Sequence, residues 1–378
     1  MKTVQLKRGK GTDWEYVGPS ITLNKPLVLV FGNRFLLEKK GIYEEIKDMF
    51  PDGGIVFGST SGNISANMVN DDSITITAME FDKTSFEIHT ENVLDKKGDD
   101  YQTGSNLMKK FSEEDLQFMF LVTDGSFING SNLTRGFSNA MNNRILVTGG
   151  MCADDTRFER TLSSYNENPK EGEIVAIGFY GTSLEVTSAI YGGWTPFGPK
   201  RIVTKSDGNM LFELDGLPAL ELYKNYLGDK AKDLPASALL YPLNVVAQGT
   251  KHSIVRSILN IDEEQNAIIL AGDIPEKSKV QLMMTNVDNI ATASETATRM
   301  AMESRKTSPD LAFLVSCIGR KLVLDQRVEE EVEEVLEVVG TDTVLSGFYS
   351  YGEIAPFQGE GGCRLHNQTM TITLISEL

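Results

Sequence analysis

The stretch PLVLVFGNRFLLEKKGIYEEIKDMFP, residues 26–51, carries the clearest secondary-structure signals in the chain. Residues 26–31 are an apolar run of strand length, which predicts a strand buried on both faces. Between Phe35 and Phe50 apolar residues return at helical spacing, which predicts an amphipathic helix that ends before Pro51. A buried strand followed directly by a helix is typical of an α/β protein.

The same alternation continues along all 378 residues. It predicts an α/β fold of the mixed, α+β kind, strand-rich and in two parts, with helices packed on mixed sheets. Two hairpins are predicted where alternating strands flank a short turn, one from residues 73–81 and 84–90, the other from residues 267–274 and 279–285.

An internal duplication is predicted from the spacing of similar segments. Three residue pairs are separated by 193, 195 and 198 positions, namely Ile74 and Ala267, Leu116 and Leu311, and Gly149 and Gly347. The near-constant offset, with strands and helices in the same order, predicts a duplicated unit.

The domain boundary is predicted near the middle of the chain. Glycine and proline interrupt the segment LDGLP, residues 214–218, and a new helix is predicted directly after it. We predict an N-terminal extension over residues 1–26, a first domain over residues 27–216 and a second over residues 217–378.

A helix from Gln326 to Val339 is predicted to pack one face on the protein. Its valines and one leucine form a single apolar stripe, and Gly340 follows where a C-cap glycine would stand. Six glutamates occupy the other faces, and we predict that they are solvated and form neither a metal site nor a substrate site: Glu329, Glu330, Glu331, Glu333, Glu334 and Glu337.

Composition argues against several classes of protein. Fifty-three acidic residues against 36 Lys and Arg give a net charge of −17, which opposes a nucleic acid partner. The three cysteines, Cys152, Cys317 and Cys363, are widely spaced, which supports neither a disulfide framework nor a zinc cluster. The N-terminus lacks a signal peptide pattern, and no apolar run approaches the roughly 18 residues of a membrane span. We therefore expect a cytoplasmic protein without membrane insertion.

Familiar enzyme signatures are absent from the sequence. It contains no phosphate-binding loop, no dinucleotide fingerprint and no H-E-x-x-H zinc motif. We expect neither a metal nor an enzymatic activity. The alternative is a cysteine-dependent enzyme with Cys317 as nucleophile and His366 nearby.

Polar side chains concentrate where predicted strands end, at residues 124–126, 149–154, 316–320 and 347–353. Open α/β folds bind ligands at such strand ends. Arg256 and Arg320 are each suited to bind a carboxylate through two hydrogen bonds, and Glu353 and Asp154 are suited to an ammonium group. This set fits an amino-acid-like or other small polar ligand. An ion pair between Arg320 and Glu353 would explain both charges without a ligand, and both interpretations stay open.

Several motifs resemble the FIST family, named for F-box and intracellular signal transduction proteins. Three motifs resemble the C-terminal half of this family: Cys317-x-Gly319-Arg320, Gly347-Phe348-Tyr349-x-Tyr351-Gly352-Glu353-Ile354 and His366-Asn367-Gln368-Thr369. Another series of residues, in the expected order, resembles the companion FIST N domain: Gly149-Gly150 with Asp154, then Gly181, Gly192, Pro196-x-Gly198 and Leu214-Asp215-Gly216. The resemblance spans roughly residues 27–377.

The resemblance implies a sensory protein of signal transduction that binds a small molecule such as an amino acid. Candidate ligand-binding residues are Gly149, Gly150, Asp154, Arg256, Cys317, Arg320, Tyr351, Glu353, His366 and Asn367. The chain ends soon after its last predicted strand, so we expect the signal to reach a separate partner such as a histidine kinase. A homodimer is compatible with this arrangement.

Two alternatives accompany this prediction. A subset of the family resembles nitric-oxide-sensing haem proteins that regulate a kinase. We expect no cofactor, but if haem binds, His366 and His252 are the candidate axial ligands. The other alternative is an interaction scaffold without a ligand, which would bind its partner equally well with Arg256, Arg320 and Glu353 neutralised.

Overall fold

The computed structural model describes residues 1–96, 99–141, 145–357 and 361–378. Within these ranges the strands form three six-stranded mixed sheets and a further sheet system of eight strands. The predicted α/β class, with helices packed on mixed sheets, is confirmed. Three consecutive units of the chain build the three six-stranded sheets.

The first unit runs from the N-terminus to residue 80. Its elements are β1 (Lys2–Gly9), β2 (Glu15–Tyr16), β3 (Leu27–Gly32), α1 (Arg34–Leu37), α2 (Ile42–Met49), β4 (Gly54–Ser59), β5 (Asn63–Ser65), β6 (Met68–Asn70) and β7 (Ser73–Glu80). The single helix predicted over residues 35–50 is divided into α1 and α2, because Gly41 between them has a φ of 88°. The predicted N-terminal extension contains β1, which pairs along its full length with β7.

The second unit also has two helices, but one of them lies between its first two strands. Its elements are β8 (Ser85–Asn92), α3 (Asp100–Met108), β9 (Leu116–Thr123), α4 (Gly130–Ala140), β10 (Leu146–Met151), β11 (Ser163–Tyr165) and β12 (Glu173–Tyr180).

The third unit begins with β13 (Leu184–Tyr191) and is then interrupted by a smaller unit, which we call the insert. The insert comprises β14 (Thr195–Asp207), β15 (Met210–Leu214), β16 (Leu217–Pro218), α5 (Ala219–Leu227), β17 (Leu243–Val246), β18 (Ile254–Arg256), β19 (Ile258–Asp262), β20 (Ala267–Leu270) and β21 (Lys279–Met284). The third unit resumes with α6 (Val287–Met302), β22 (Leu311–Cys317), α7 (Ile318–Leu324), α8 (Glu330–Val339), β23 (Val344–Ser350), β24 (Gly352–Ala355), β25 (Arg364–His366) and β26 (Met370–Glu377).

The three units share one topology. Each has a central parallel pair, β3 with β4, β9 with β10 and β22 with β23. An antiparallel strand lies beside the first member of each pair, and one further antiparallel strand lies beside that one. The predicted internal repeat is therefore present, but in three copies instead of two. Leu116 and Leu311, and likewise Gly149 and Gly347, lie on equivalent strands, whereas the predicted match of Ile74 with Ala267 is wrong because Ala267 lies in the insert.

Each unit lends a short strand to the sheet of another unit. Strand β5 of the first unit pairs with β23 of the third, β24 of the third pairs with β10 of the second, and β11 of the second pairs with β4 of the first. Backbone hydrogen bonds close the same cycle, from Ser61 N to Tyr349 O at 3.0 Å, from Tyr351 N to Met151 O at 3.3 Å and from Ala153 N to Ser59 O at 2.8 Å. The units are thus arranged with pseudo-three-fold symmetry, and the two predicted domains share sheets.

The main core lies where the inner faces of the three sheets meet. Alternate residues of the three equivalent strands fill it: Leu27, Leu29 and Phe31 of β3, Phe118, Phe120 and Val122 of β9, and Leu311, Phe313 and Val315 of β22. The outer faces are covered mainly by α1 and α2, by α3 and α4, and by α6 and α8. This layering follows from strands that are apolar on both faces.

Both predicted hairpins are wrong, although the strands exist. Strand β7 pairs with β1 and β3, whereas β8 pairs with β12 in another sheet. Likewise β20 pairs with β15 and β19, whereas β21 pairs with β14 and β17. Alternation shows that one face of a strand is buried, but it does not show which strand lies beside it.

Helix α8, the glutamate-rich helix predicted over residues 326–339, differs from the prediction at its N-terminal end and on one face. It begins at Glu330, after a 3₁₀ turn over Asp325–Arg327, and Gly340 is its C-cap with a φ of 87°. The expectation of a wholly solvated acidic face is wrong for Glu331, whose side chain is fully buried. No helix in the described part of the chain is both long and apolar enough to cross a bilayer.

Candidate functional site

Two clefts lie where the insert meets the second unit and the end of the third. We call them the Arg256 cleft and the Asp100 cleft, and their volumes are about 360 and 340 Å³. The insert lines the Arg256 cleft with residues of β17, of β18 and of the loop after β20, while α4 and the ends of the segment between β24 and β25 line its other side. A junction between two structural units is a common place for a ligand site.

Arg256 is the most enclosed cation of the first cleft. It ends β18, is only 5% exposed, and donates from Nε to the Asp273 carbonyl at 3.1 Å and from Nη1 to the Leu365 carbonyl at 3.0 Å. Its Nη2 has a longer contact of 3.5 Å with Ser131 Oγ. Burial lowers the pKa of the guanidinium to about 10, so it stays charged at neutral pH.

Other charges around Arg256 are mostly positive. Arg135 and Arg364 line the same cleft, and Asp273 is the acidic residue among its lining side chains in the described structure. Arg135 Nη1 lies 3.8 Å from Asp273 Oδ2. Three guanidiniums against one carboxylate leave the cleft cationic, which favours an anionic ligand.

The two candidate haem ligands both contact Phe357. The ring of His252 lines the cleft and stacks on Phe357 with centroids 4.7 Å apart, while the ring of His366 is perpendicular to Phe357 with centroids 5.4 Å apart. His366 Nε2 is 3.1 Å from the Ala355 carbonyl, and burial, followed by Arg256, lowers the His366 pKa to about 3. The His366 imidazole, enclosed in this way, does not fit an axial role, whereas His252 lines the open cleft.

Contrary to expectation, Arg320 lines neither cleft. Its side chain is fully buried and donates to Glu331, Ser316, Ser294 and the carbonyls of Gly192 and Ile290. The predicted ion pair between Arg320 and Glu353 is also wrong, because Glu331 is the partner at 2.6 Å.

Glu353 and Cys317 are both buried, and neither lines either cleft. Glu353 accepts from Ser350 Oγ at 2.7 Å and from Thr369 N and Oγ1 at 3.1 and 2.8 Å. Burial raises the pKa of Glu353 to about 7. Burial, with a contribution from Glu353, also raises the pKa of the Cys317 thiol, which opposes formation of a nucleophilic thiolate.

Gly149 and Gly150 serve packing. A Cβ on Gly149 would lie 2.0 Å from the Leu121 carbonyl oxygen, and one on Gly150 would lie 2.6 Å from Val315 Cγ1. In the third unit, a Cβ on Gly347 would likewise lie 1.9 Å from the Leu314 carbonyl oxygen. The glycine pair used to predict duplication thus reflects close contact between parallel strands.

Asp154 and Tyr351 hold a loop at the edge of the second cleft. Asp154 accepts a short hydrogen bond from Tyr351 Oη and bonds from the N–H groups of Glu159 and Arg160 at 3.3 and 3.2 Å. The Tyr351 ring stacks on Phe158 at 4.4 Å and lines the Asp100 cleft. Asp154 is therefore a loop anchor, and only Tyr351 of the two faces a cleft.

Asn367 is fully buried, and neither of its side-chain polar atoms has a partner in the described structure. It lies against Gly352, where a Cβ would be 3.5 Å from Asn367 Nδ2. A group of this kind usually marks a bound water.

Of the predicted site residues, the structure places Arg256 and His252 at the first cleft and Tyr351 at the second. The other predicted residues line neither cleft: Gly149, Gly150, Asp154, Cys317, Arg320, Glu353, His366 and Asn367. Sequence reasoning missed Arg135, Arg364, Asp273 and Phe357 at the first cleft and Asp100, Phe127 and Phe158 at the second. Two of these residues had a signal in the sequence that could have indicated them. Asp273 follows an apolar run of strand length, and Arg364 lies shortly before the candidate residue His366.

Groups of three or more His, Cys, Asp or Glu side chains that could hold a metal ion are absent from the described residues.

The fold and the cleft define a three-unit α/β protein with a cationic cleft at its junction with an inserted unit. The chain belongs to the FIST family, because the FIST N domain matches residues 26–217 and the FIST C domain matches residues 219–356. FIST domains are associated with sensory roles in signal transduction. The boundary between the two matches falls at β16, inside the insert.

Relatives in other organisms are similar over much of the chain. An uncharacterized protein of Methanocaldococcus jannaschii is 27% identical over 272 residues, which are 62% of this chain and 49% of that protein. An uncharacterized protein of Mycobacterium tuberculosis is 24% identical over 313 residues, 79% of this chain and 70% of that protein. The alignment thus covers about half the length of the Methanocaldococcus relative. A cyanuric acid hydrolase from A. caulinodans matches with a TM-score of 0.33 and 8% identity, covering 94% of this chain and 91% of the other.

Proposed function

We propose that this chain is a ligand-binding sensory protein and that its ligand is a small carboxylate, such as an amino-acid-like metabolite, bound in the Arg256 cleft. The observation that carries the proposal is the buried Arg256 guanidinium at a cationic cleft between two structural units. Binding of this kind needs neither a metal nor an organic cofactor, and the proposal includes no enzymatic activity.

The lining supports a carboxylate with an apolar part. Guanidinium groups pair with carboxylates through two parallel hydrogen bonds, and Arg135 and Arg364, which are more exposed than Arg256, line the same cleft. Val245, Ile254 and Phe357 supply apolar surface beside these cations.

Arg256 also suggests how binding reaches the rest of the protein. It belongs to the insert, yet it donates to the carbonyl of Leu365 in β25 and contacts Ser131 in α4. A ligand that pairs with this guanidinium would alter the contact between the insert and the three-unit body. We propose that a separate signalling protein, such as a histidine kinase, responds to that change.

The experiment compares phenylacetate with its uncharged analogue phenylacetamide by isothermal titration calorimetry. We expect the carboxylate to bind at least about tenfold more tightly than the amide. A variant with Arg135→Gln and Arg364→Gln should lose most of this preference, because it removes two of the three guanidiniums that make the cleft cationic. Both side chains are exposed, so the variant should keep its core intact.

The matched control is Arg299→Gln, which removes an exposed arginine of α6 paired with Glu295, remote from the cleft lining. It should bind phenylacetate as the unmodified protein does. Equal or absent binding of the two probes, or an unchanged preference in the double variant, would contradict the proposal.

A further inference from the structure

We infer that the Asp100 cleft is a second binding site, which takes an organic cation with an aromatic or other apolar body. The site does not depend on the proposed function, because its charge, its lining and its probe all differ from those of the Arg256 cleft. Four observations support it.

The first observation is a buried carboxylate with one unused oxygen. Asp100 begins α3, is only 8% exposed and lines the cleft. Its Oδ2 accepts from the backbone N–H of Asn129 at 2.8 Å, whereas its Oδ1 has no hydrogen-bond partner within the described structure. A buried acceptor without a partner is unfavourable, so a donor from a ligand would be strongly preferred at this atom.

The second observation is aromatic surface at the same cleft. The side chains of Phe127 and Phe158 line it and are 46% and 38% exposed. Tyr351 extends this surface, since its ring stacks on Phe158 at 4.4 Å. Exposed rings gathered in a concave surface favour an apolar ligand, and ring faces also attract cations.

The third observation is the charge of the lining. Asp100 is the one ionisable acid or base other than Tyr351 among the described lining residues, so no cation of the protein competes for it there. Burial raises the pKa of Asp100 to about 6, with further contributions from the Asp99 and Asp273 carboxylates. The side chain is therefore mostly ionised at neutral pH, and an ammonium group complements it.

The fourth observation places this cleft beside the first one. Asn129 donates its backbone N–H to Asp100 and its Nδ2 to Asp273 Oδ1 at 2.8 Å, and Asp273 lines the Arg256 cleft. Asn129, the N-cap of α4, thus contacts an acid of each cleft.

The test uses 2-phenylethylamine, which is a cation at neutral pH, and 2-phenylethanol, which has a similar shape without the charge. Calorimetry on the full chain should show the amine binding about tenfold or more tightly than the alcohol. Asp100→Asn should remove this preference, and its single amide oxygen can take the place of Oδ2 as the acceptor for Asn129 N. Asp99→Asn, the control, retains an N-cap side chain at the neighbouring exposed position and should change amine binding less than about threefold.

A second variant keeps the inference testable if Asp100→Asn fails to fold. Phe127→Ala truncates an exposed ring and should weaken both probes by about fivefold. Absent amine binding, equal binding of the two probes, or an unchanged preference in Asp100→Asn would overturn the inference. The Arg135→Gln and Arg364→Gln variant should leave amine binding unchanged, which separates this test from the carboxylate test.

Discussion

Arg320 Nη2 and Glu331 Oε2 lie 2.6 Å apart, and neither side chain is exposed to solvent. The pair joins α7 to α8, and the other carboxylate oxygen accepts from Tyr349 Oη at 2.5 Å and Ser316 Oγ at 3.0 Å. A buried pair with its remaining hydrogen-bonding groups satisfied holds these helices on the third sheet.

Removing one partner of this pair should destabilise the protein strongly. Glu331→Gln leaves the Arg320 charge buried without its counter-ion, and we expect a loss of about 3–5 kcal/mol in the free energy of unfolding. Urea unfolding measures it, with Glu333→Gln as the control because that glutamate is exposed on the same helix. Equal stability of the two variants would contradict the structural role and return Arg320 to the candidate ligand-binding residues.

Glu353 should make stability fall as the pH rises. Burial raises its pKa to about 7, so between about pH 4.5 and pH 7 the unfolded chain ionises this group while the folded chain keeps it protonated. The contribution is therefore fully present below the unfolded pKa and lost as the pH approaches 7, by up to about 3 kcal/mol. Glu353→Gln should lose less stability than the unmodified protein over this range. Parallel pH profiles of the two proteins in urea unfolding would count against the buried carboxyl.

Glu377 should have the opposite pH dependence. Burial alone would raise its pKa, but the N–H groups of Asp82, Lys83 and Thr84 donate to the carboxylate at 2.6–2.7 Å and lower the pKa to about 2. Its contribution is present above about pH 4.5 and lost as the pH falls toward 2. Glu377→Gln should cost about 1–2 kcal/mol at pH 7 and almost nothing near pH 2. Glu303→Gln, at an exposed position, is the control, and a cost that does not vary with pH would refute the assignment.

Gly149 should not tolerate a side chain. Its φ is 148°, and an added Cβ would lie 2.0 Å from the Leu121 carbonyl oxygen in the neighbouring parallel strand. Gly149→Ala should cost about 3 kcal/mol or more, measured by thermal or urea unfolding. Gly9→Ala is the control, because its nearest neighbour would be Thr12 Oγ1 at 3.5 Å. A Gly149→Ala variant as stable as Gly9→Ala would show that the strands separate easily at this point.

Local features were predictable from sequence because they depend on neighbouring residues. The apolar run of β3, the helical spacing that follows it and Gly340 at the end of α8 each have a short-range cause. The FIST membership was also predicted, since its motifs are short and their order is specific. Partners across the fold were not predictable in this way. Thus β7 and β8 follow each other in sequence but belong to different sheets.

The candidate sites show the same division. Arg256 was predicted and lines a cleft, whereas Arg320, with the same chemistry, is enclosed by Glu331 and the backbone carbonyls of Gly192 and Ile290. Nothing in the local sequence distinguishes the two arginines, because the difference lies in which segments surround them. Asp100 was missed for the same reason, since its cleft forms only when the insert lies beside α4.

The sequence by itself determined the α/β class, most strands and helices, the repeated order of elements and the family. Only the tertiary structure decided that the repeat has three copies, that short strands are exchanged in a cycle and which polar residues face a cleft. The physical reason is that periodicity records whether a face is buried, which is a property of one segment. Strand exchange and cleft formation depend on contacts between segments far apart in the chain, such as β5 with β23 and Arg256 with Leu365.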